Sequence, residues 1–128
     1  MLGPKNLDKA VEAVEKAVEL DRGNVTYARA AADLYYRKFS IYGQEPQLYK
    51  AIEVAKNALT LPDAQDKPGP RSWANRMNRL SLYAFLANCY IERVLGYPRD
   101  GIKTEAQKQK WLTDAEQAVH EIEQLSGS

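Results

Sequence analysis

The sequence predicts an all-α fold: five antiparallel helices, stacked as short helical hairpins. Three observations lead there. Five stretches carry apolar residues at spacings of three and four, and none sustains the period of two that a half-buried strand needs. Glycine and proline cluster between those stretches rather than inside them. The chain has 128 residues, 45% apolar and 27% charged, which suits one compact domain with a core of its own.

The first helix is expected from about Leu7 to Leu20. Leu7, Ala10, Val11, Val14, Ala17 and Val18 share one face, and Asp8, Lys9, Glu12, Glu15, Lys16 and Glu19 share the other. Asn6 is the expected N-cap, and Gly23 the left-handed stop. The second runs from Val25 to Tyr42 and is closed by Gly43; its first half is rich in alanine, which lets a neighbour approach closely. The third opens at Pro46, where the missing N–H costs nothing, carries Leu48, Ala51, Ile52, Ala55, Ala58 and Leu59 as its stripe, and ends at Leu61-Pro62. Residues 62–70 form the one long loop, punctuated by Pro62, Pro68, Gly69 and Pro70. The fourth helix spans Ser72 to Gly96. It is apolar almost all round from Leu82 to Ile91, so it is expected to have neighbours on more than one side. A turn over Tyr97-Pro98 to Lys103 leads to a capping box, Thr104 with Gln107, and to a fifth helix with Trp111, Leu112, Ala115, Ala118, Val119, Ile122 and Leu125 on its stripe. Leu82, Phe85, Leu86 and Trp111 are the expected core and interhelix contacts. Met1-Leu2-Gly3 and Gly127-Ser128 read as expression-derived ends around one domain, with 4–126 as its ordered helical part.

Composition also excludes. The net charge is +1, from 18 basic and 17 acidic residues, so the chain has no overall bias toward nucleic acid or anionic membrane. The single cysteine, Cys89, cannot form an internal disulfide and leaves the redox compartment open. No apolar run is long enough to span a bilayer, and no secretory signal pattern opens the chain. The compartment stays open between the cytoplasm, slightly favoured, and an envelope-associated protein from which this domain was excised.

Two helical phrases recur. The first helix places Ala10, Val14 and Ala17 at steps of four and three; the third repeats this as Ala51, Ala55, Ala58, and the fifth more weakly as Ala115, Val119, Ile122. The fourth helix places Tyr83, Leu86, Ala87 and Tyr90 at steps of three, one and three; the second follows loosely with Tyr27, Ala30, Ala31 and Leu34. These phrases resemble the second and first helices of the tetratricopeptide repeat (TPR) family. The chain then reads as a leading second helix followed by two hairpins. It departs from the family's repeat of about 34 residues, since both Ala10 to Ala51 and Ala51 to Ala115 are longer. The proline expected after the second helix is absent at Arg22 and displaced at Pro62. The likeness is to a divergent TPR-like domain with lengthened hairpins stacked as a short solenoid.

The resemblance implies a protein–protein interaction scaffold or adaptor, non-catalytic and without a cofactor, whose first helices line a concave groove for a partner's peptide or helix. Carried over by register, the groove would hold Ala28, Ala32, Tyr35 and Tyr36 from the second helix, and Ser81, Ala84, Asn88 and Ile91 from the fourth. Asn88, polar within an apolar run, either bonds a ligand's backbone or is a satisfied internal amide. These positions lack the basic set with which the family's chaperone-binding members clamp a terminal carboxylate. The eight tyrosines suit half-buried surfaces, because the ring can be covered while the hydroxyl stays wet. Whether the 62–70 loop fills the groove is open.

Other chemistry is thinly represented. Lys67, Arg71, Arg76 and Arg79, with Trp73 among them, form a basic and aromatic patch that could hold a phosphate, an acidic peptide or nucleic acid, although nucleic acid is disfavoured as a partner. The plainer reading is a solvated loop and first helical turns. Beyond Lys110 the chain turns acidic with Asp114, Glu116, Glu121 and Glu123, and opposed patches could drive head-to-tail contact between copies; a further alternative is a self-association module within a larger assembly, stacking through its terminal helices. His120, the one histidine, lies between Glu116 and Glu123 and reads as an exposed helix face rather than a metal ligand. Cys89 reads as a core thiol, not a nucleophile. No phosphate-binding loop, H-E-x-x-H or C-x-x-C is present, and no enzymatic activity is expected.

Overall fold

A computed structural model describes residues 4–95 and 105–127. Five α-helices make up the described chain: α1 Pro4–Leu20, α2 Val25–Tyr42, α3 Glu45–Ala58, α4 Ser72–Leu95 and α5 Glu105–Gly127, with a single 3₁₀ turn at Pro62–Ala64. No strand occurs among the described residues, so the fold is all-α. Each helix lies against the next in chain order, most extensively within the hairpins α2/α3 and α4/α5; α1 lies on α2, and α3 on α4. The expected stop at Gly96, Tyr97, the turn to Lys103 and Thr104 of the capping box lie outside the described residues.

Local chemistry sets the ends. Gly43 closes α2 in the left-handed conformation, φ 67°, and donates its N–H to the Phe39 carbonyl. A side chain at Gly43 would be strained there, which is why glycine suits this stop. Two expected caps differ. Asn6 falls inside the first turn of α1, which begins at Pro4. Gly23 does not adopt positive φ. The α1–α2 turn is held instead by Asn24, whose Oδ1 accepts the Tyr27 N–H and whose Nδ2 donates to Asp21 Oδ2. The C-terminal end of α3 has no glycine. The carbonyls of its last turn accept from the backbone N–H groups of Leu59, Thr60 and Leu61, and the segment that follows is held by side chains: Gln65 Nε2 donates to the Leu59 and Leu61 carbonyls, and Arg79 Nη1 to those of Leu59 and Ala64. The 62–70 loop is therefore partly ordered, with Ala64 fully buried against α4.

The core runs through all five helices. Leu7 and Val11 of α1, Ala28, Ala31, Ala32, Tyr35 and Phe39 of α2, Leu48, Ala51, Ala55 and Ala58 of α3, Leu82, Phe85, Leu86 and Cys89 of α4, and Ala115 and Ala118 of α5 are buried. The alanines sit where helix axes approach most closely, and the larger residues one turn away fill the grooves between them. Among the described residues one buried side chain is charged: Arg93 of α4 is fully inaccessible. Its guanidinium lies 4.3 Å from the centre of the Trp111 ring and 5.1 Å from that of Tyr49. Nη2 donates to the Tyr49 hydroxyl at 2.7 Å. Nη1 is 2.8 Å from Glu45 Oε1, an ion pair by distance, but it is not aligned as a hydrogen bond, and Nε has no hydrogen-bond partner.

Candidate functional site

The α4 face expected to line a groove is open to solvent: Ser81, Ala84, Asn88 and Ile91 are all exposed, at steps of three, four and three along one side of the helix. Opposite stands α2. The two helices meet mainly through side chains rather than close backbone approach. Tyr36 sets its ring edge-on to Phe85 at 6.0 Å and donates its hydroxyl to Glu92 Oε1 at 2.6 Å. Arg29 lies 4.5 Å over the Phe85 ring and pairs with Asp33 one turn on. Between the two helices runs a groove of about 300 Å³. Its walls are Val25, Thr26, Arg29, Ala30 and Asp33 of α2, with Asn78, Ser81 and Leu82 of α4. No residue of the 62–70 loop lines it.

The α2 wall is turned from the expected register. Ala28, Ala32 and Tyr35 are buried in the core, not in the groove. The reason is that α2 is covered by both α1 and α3. Its smallest residues go to those close contacts, which leaves Thr26, Arg29, Ala30 and Asp33 on the open side. Tyr35 donates to Glu15 of α1 and has the Lys50 ammonium of α3 5.1 Å over its ring. Tyr36 is half-buried at the α2–α4 seam, and Asn88 is exposed on α4. Arg29 and Asp33 were not singled out in the sequence, although an Arg and an Asp four apart amid alanines mark a polar edge on that helix.

Burial, reinforced by Glu92, pushes the Tyr36 phenol well above its ordinary value, and burial with Glu15 does the same at Tyr35. Burial pushes the Cys89 thiol up to about 12, and the neighbouring Glu92 adds to it. A thiol so held is protonated and inert near neutrality. Cys89 is therefore expected to resist a disulfide-exchange reagent at pH 8 and to react stoichiometrically once denaturant is added; fast labelling of the folded chain would contradict its burial.

The basic patch divides. Arg76 pairs with Asp66 at 3.3 Å and reaches the Leu125 carbonyl, and Arg79 is bound to the Leu59 carbonyl just past α3, to the Ala64 carbonyl of the 3₁₀ turn and to the Tyr83 hydroxyl. Lys67, Arg71 and Trp73 remain exposed, Trp73 at 74%. Lys67, Trp73 and Arg76, with Asp66, Pro68 and Ser72, rim an open depression of about 510 Å³. His120 is exposed on α5, and the described residues contain no group of three His, Cys, Asp or Glu side chains placed to hold a metal ion. None of the described helices is long and apolar enough to cross a membrane. No known protein-family model, curated protein or solved structure matches the chain.

Proposed function

We propose that the chain is a TPR-like protein–protein interaction module, a non-catalytic scaffold or adaptor that holds an extended peptide or a helix of a partner in the groove between α2 and α4. The observation that carries this reading is the groove itself. Its walls hold small, polar and charged side chains with Val25 and Leu82, and beyond Ser81 the same side of α4 stays exposed at Ala84, Asn88 and Ile91. Small residues admit a partner's main chain, the Asn78 and Asn88 amides and the Ser81 hydroxyl offer hydrogen bonds, and the Arg29–Asp33 pair offers both signs of charge.

The test is groove filling. Ser81→Trp adds bulk at an exposed position and is expected to keep the parent's helical circular dichroism. Partners captured from lysate on the immobilised parent should be lost from this variant, and weakened by Asn88→Ala. Equal capture by both variants would remove the groove as the working surface. A second reading, an anionic ligand or nucleic acid at Lys67, Arg71 and Trp73, is favoured by the exposure of those three residues. It requires binding that falls steeply with salt and survives Ser81→Trp.

A further inference from the structure

The two end helices carry matching, uncovered edges. The phrase Ala10, Val14, Ala17 of α1 corresponds to Ala51, Ala55, Ala58 of α3. In α3 that stripe is fully buried, whereas in α1 Ala10 and Ala17 are only half-buried, and Ala13 and Leu20 beside them are exposed, Leu20 at 78%. Among the described residues no helix covers this side of α1. Helical spacing puts Lys9 and Lys16 along its border, with Glu12 and Glu19 further round. At the other end, Leu112 and Val119 of α5 are exposed at 41% each. Glu116 and Glu123 border them, with Lys108 on the opposite edge near the start of the helix. Lys9, Lys16, Glu116 and Glu123 make no ion pair among the described residues.

The two edges share one repeat. Ala10 and Ala17, Lys9 and Lys16, Leu112 and Val119, and Glu116 and Glu123 are each seven residues apart, about 10.5 Å along a helix. With α5 laid parallel to α1, one register sets Leu112 against Ala10 and Val119 against Ala17. The lysines just before the α1 seam residues then face the glutamates that follow the α5 seam, the arrangement by which flanking charges fix orientation in parallel helix pairs. An antiparallel pairing puts the two charged borders on opposite sides. We infer that α5 of one copy docks in parallel on α1 of a second copy, with Lys9 and Lys16 against Glu116 and Glu123. Such a head-to-tail contact leaves both outer ends open, so it propagates rather than closing at two chains. It uses a surface separate from the α2/α4 groove.

Sedimentation velocity over a concentration series at low salt tests this. The 14.5 kDa parent is expected to rise in mass beyond a dimer, and to fall back as salt screens the pairs. The reversals Lys9→Glu/Lys16→Glu and Glu116→Lys/Glu123→Lys should each be monomeric with unchanged circular dichroism. Mixing the two, which restores opposite charges at every contact, should restore assembly, and Ser81→Trp should leave it intact. A parent that stays monomeric at all concentrations, assembly that ignores the reversals, or a mixture that stays monomeric would overturn the inference.

Discussion

Arg93→Ala is expected to cost about 3 kcal/mol of unfolding free energy, among the largest single effects in the chain. The guanidinium is fully buried between Trp111 of α5 and Tyr49 of α3, and it holds Glu45 at the start of α3. Truncation removes two cation–π contacts and the bond to Tyr49, and it leaves a cavity where three helices meet. Glu45 keeps partial access to water, which holds the cost near the low end for a broken buried pair. The double change Arg93→Met/Glu45→Gln fills the volume and removes both charges, so it should recover most of the loss. Urea denaturation should show a lower midpoint with an unchanged slope. An alanine variant within about 0.5 kcal/mol of the parent would show that the buried arginine contributes little net stability.

Alkali should unfold the chain over a narrow range. Cys89, Tyr35, Tyr36 and Tyr90 all hold their protons in the fold to higher pH than in the unfolded chain, where the ordinary values are 9.0 for the thiol and 10.0 for the phenols. A group with a raised folded pKa contributes its full stability below the unfolded value and loses it as the pH climbs. Each such group removes about 1.4 kcal/mol per pH unit, so above pH 10 the four together approach about 5 kcal/mol per unit, less what the partial exposure of Tyr36 screens. Stability should therefore be flat up to about pH 9 and collapse beyond it. Tyr36→Phe should shallow that limb, and its cost at pH 7 reports the lost bond to Glu92. A stability curve flat to pH 11 would contradict the burial of these groups.

The helices were legible because they are periodic. Val25, Tyr42 and Ser72 are α2 and α4 ends as the sequence places them, and Ala51, Ala55 and Ala58 are buried as their spacing requires. What was not legible depends on distant chain. Asn24 replaces Gly23 as the organiser of the first turn because its amide finds Asp21 and the Tyr27 N–H, a choice set by turn geometry. Arg76 and Arg79 read as a free basic patch because charge is local in sequence, while the carbonyls that bind them end other helices. Tyr35 reads as groove surface until α1 and α3 both claim its side of α2. Arg93 could have been found: Leu82, Leu86, Cys89 and Arg93 recur at steps of four, three and four, which puts a charge on the buried stripe.

The most direct test of the α2/α4 groove as the working surface is backbone amide mapping of the ¹⁵N-labelled chain, titrated with the partner protein that the parent retains and Ser81→Trp loses. The expected result is a set of shifted amides concentrated at Thr26, Ala30, Asp33, Ser81 and Asn88, on the facing walls of α2 and α4. Shifts gathered instead at Lys67, Arg71 and Trp73, or along α1 and α5, with the groove unmoved, would contradict the account.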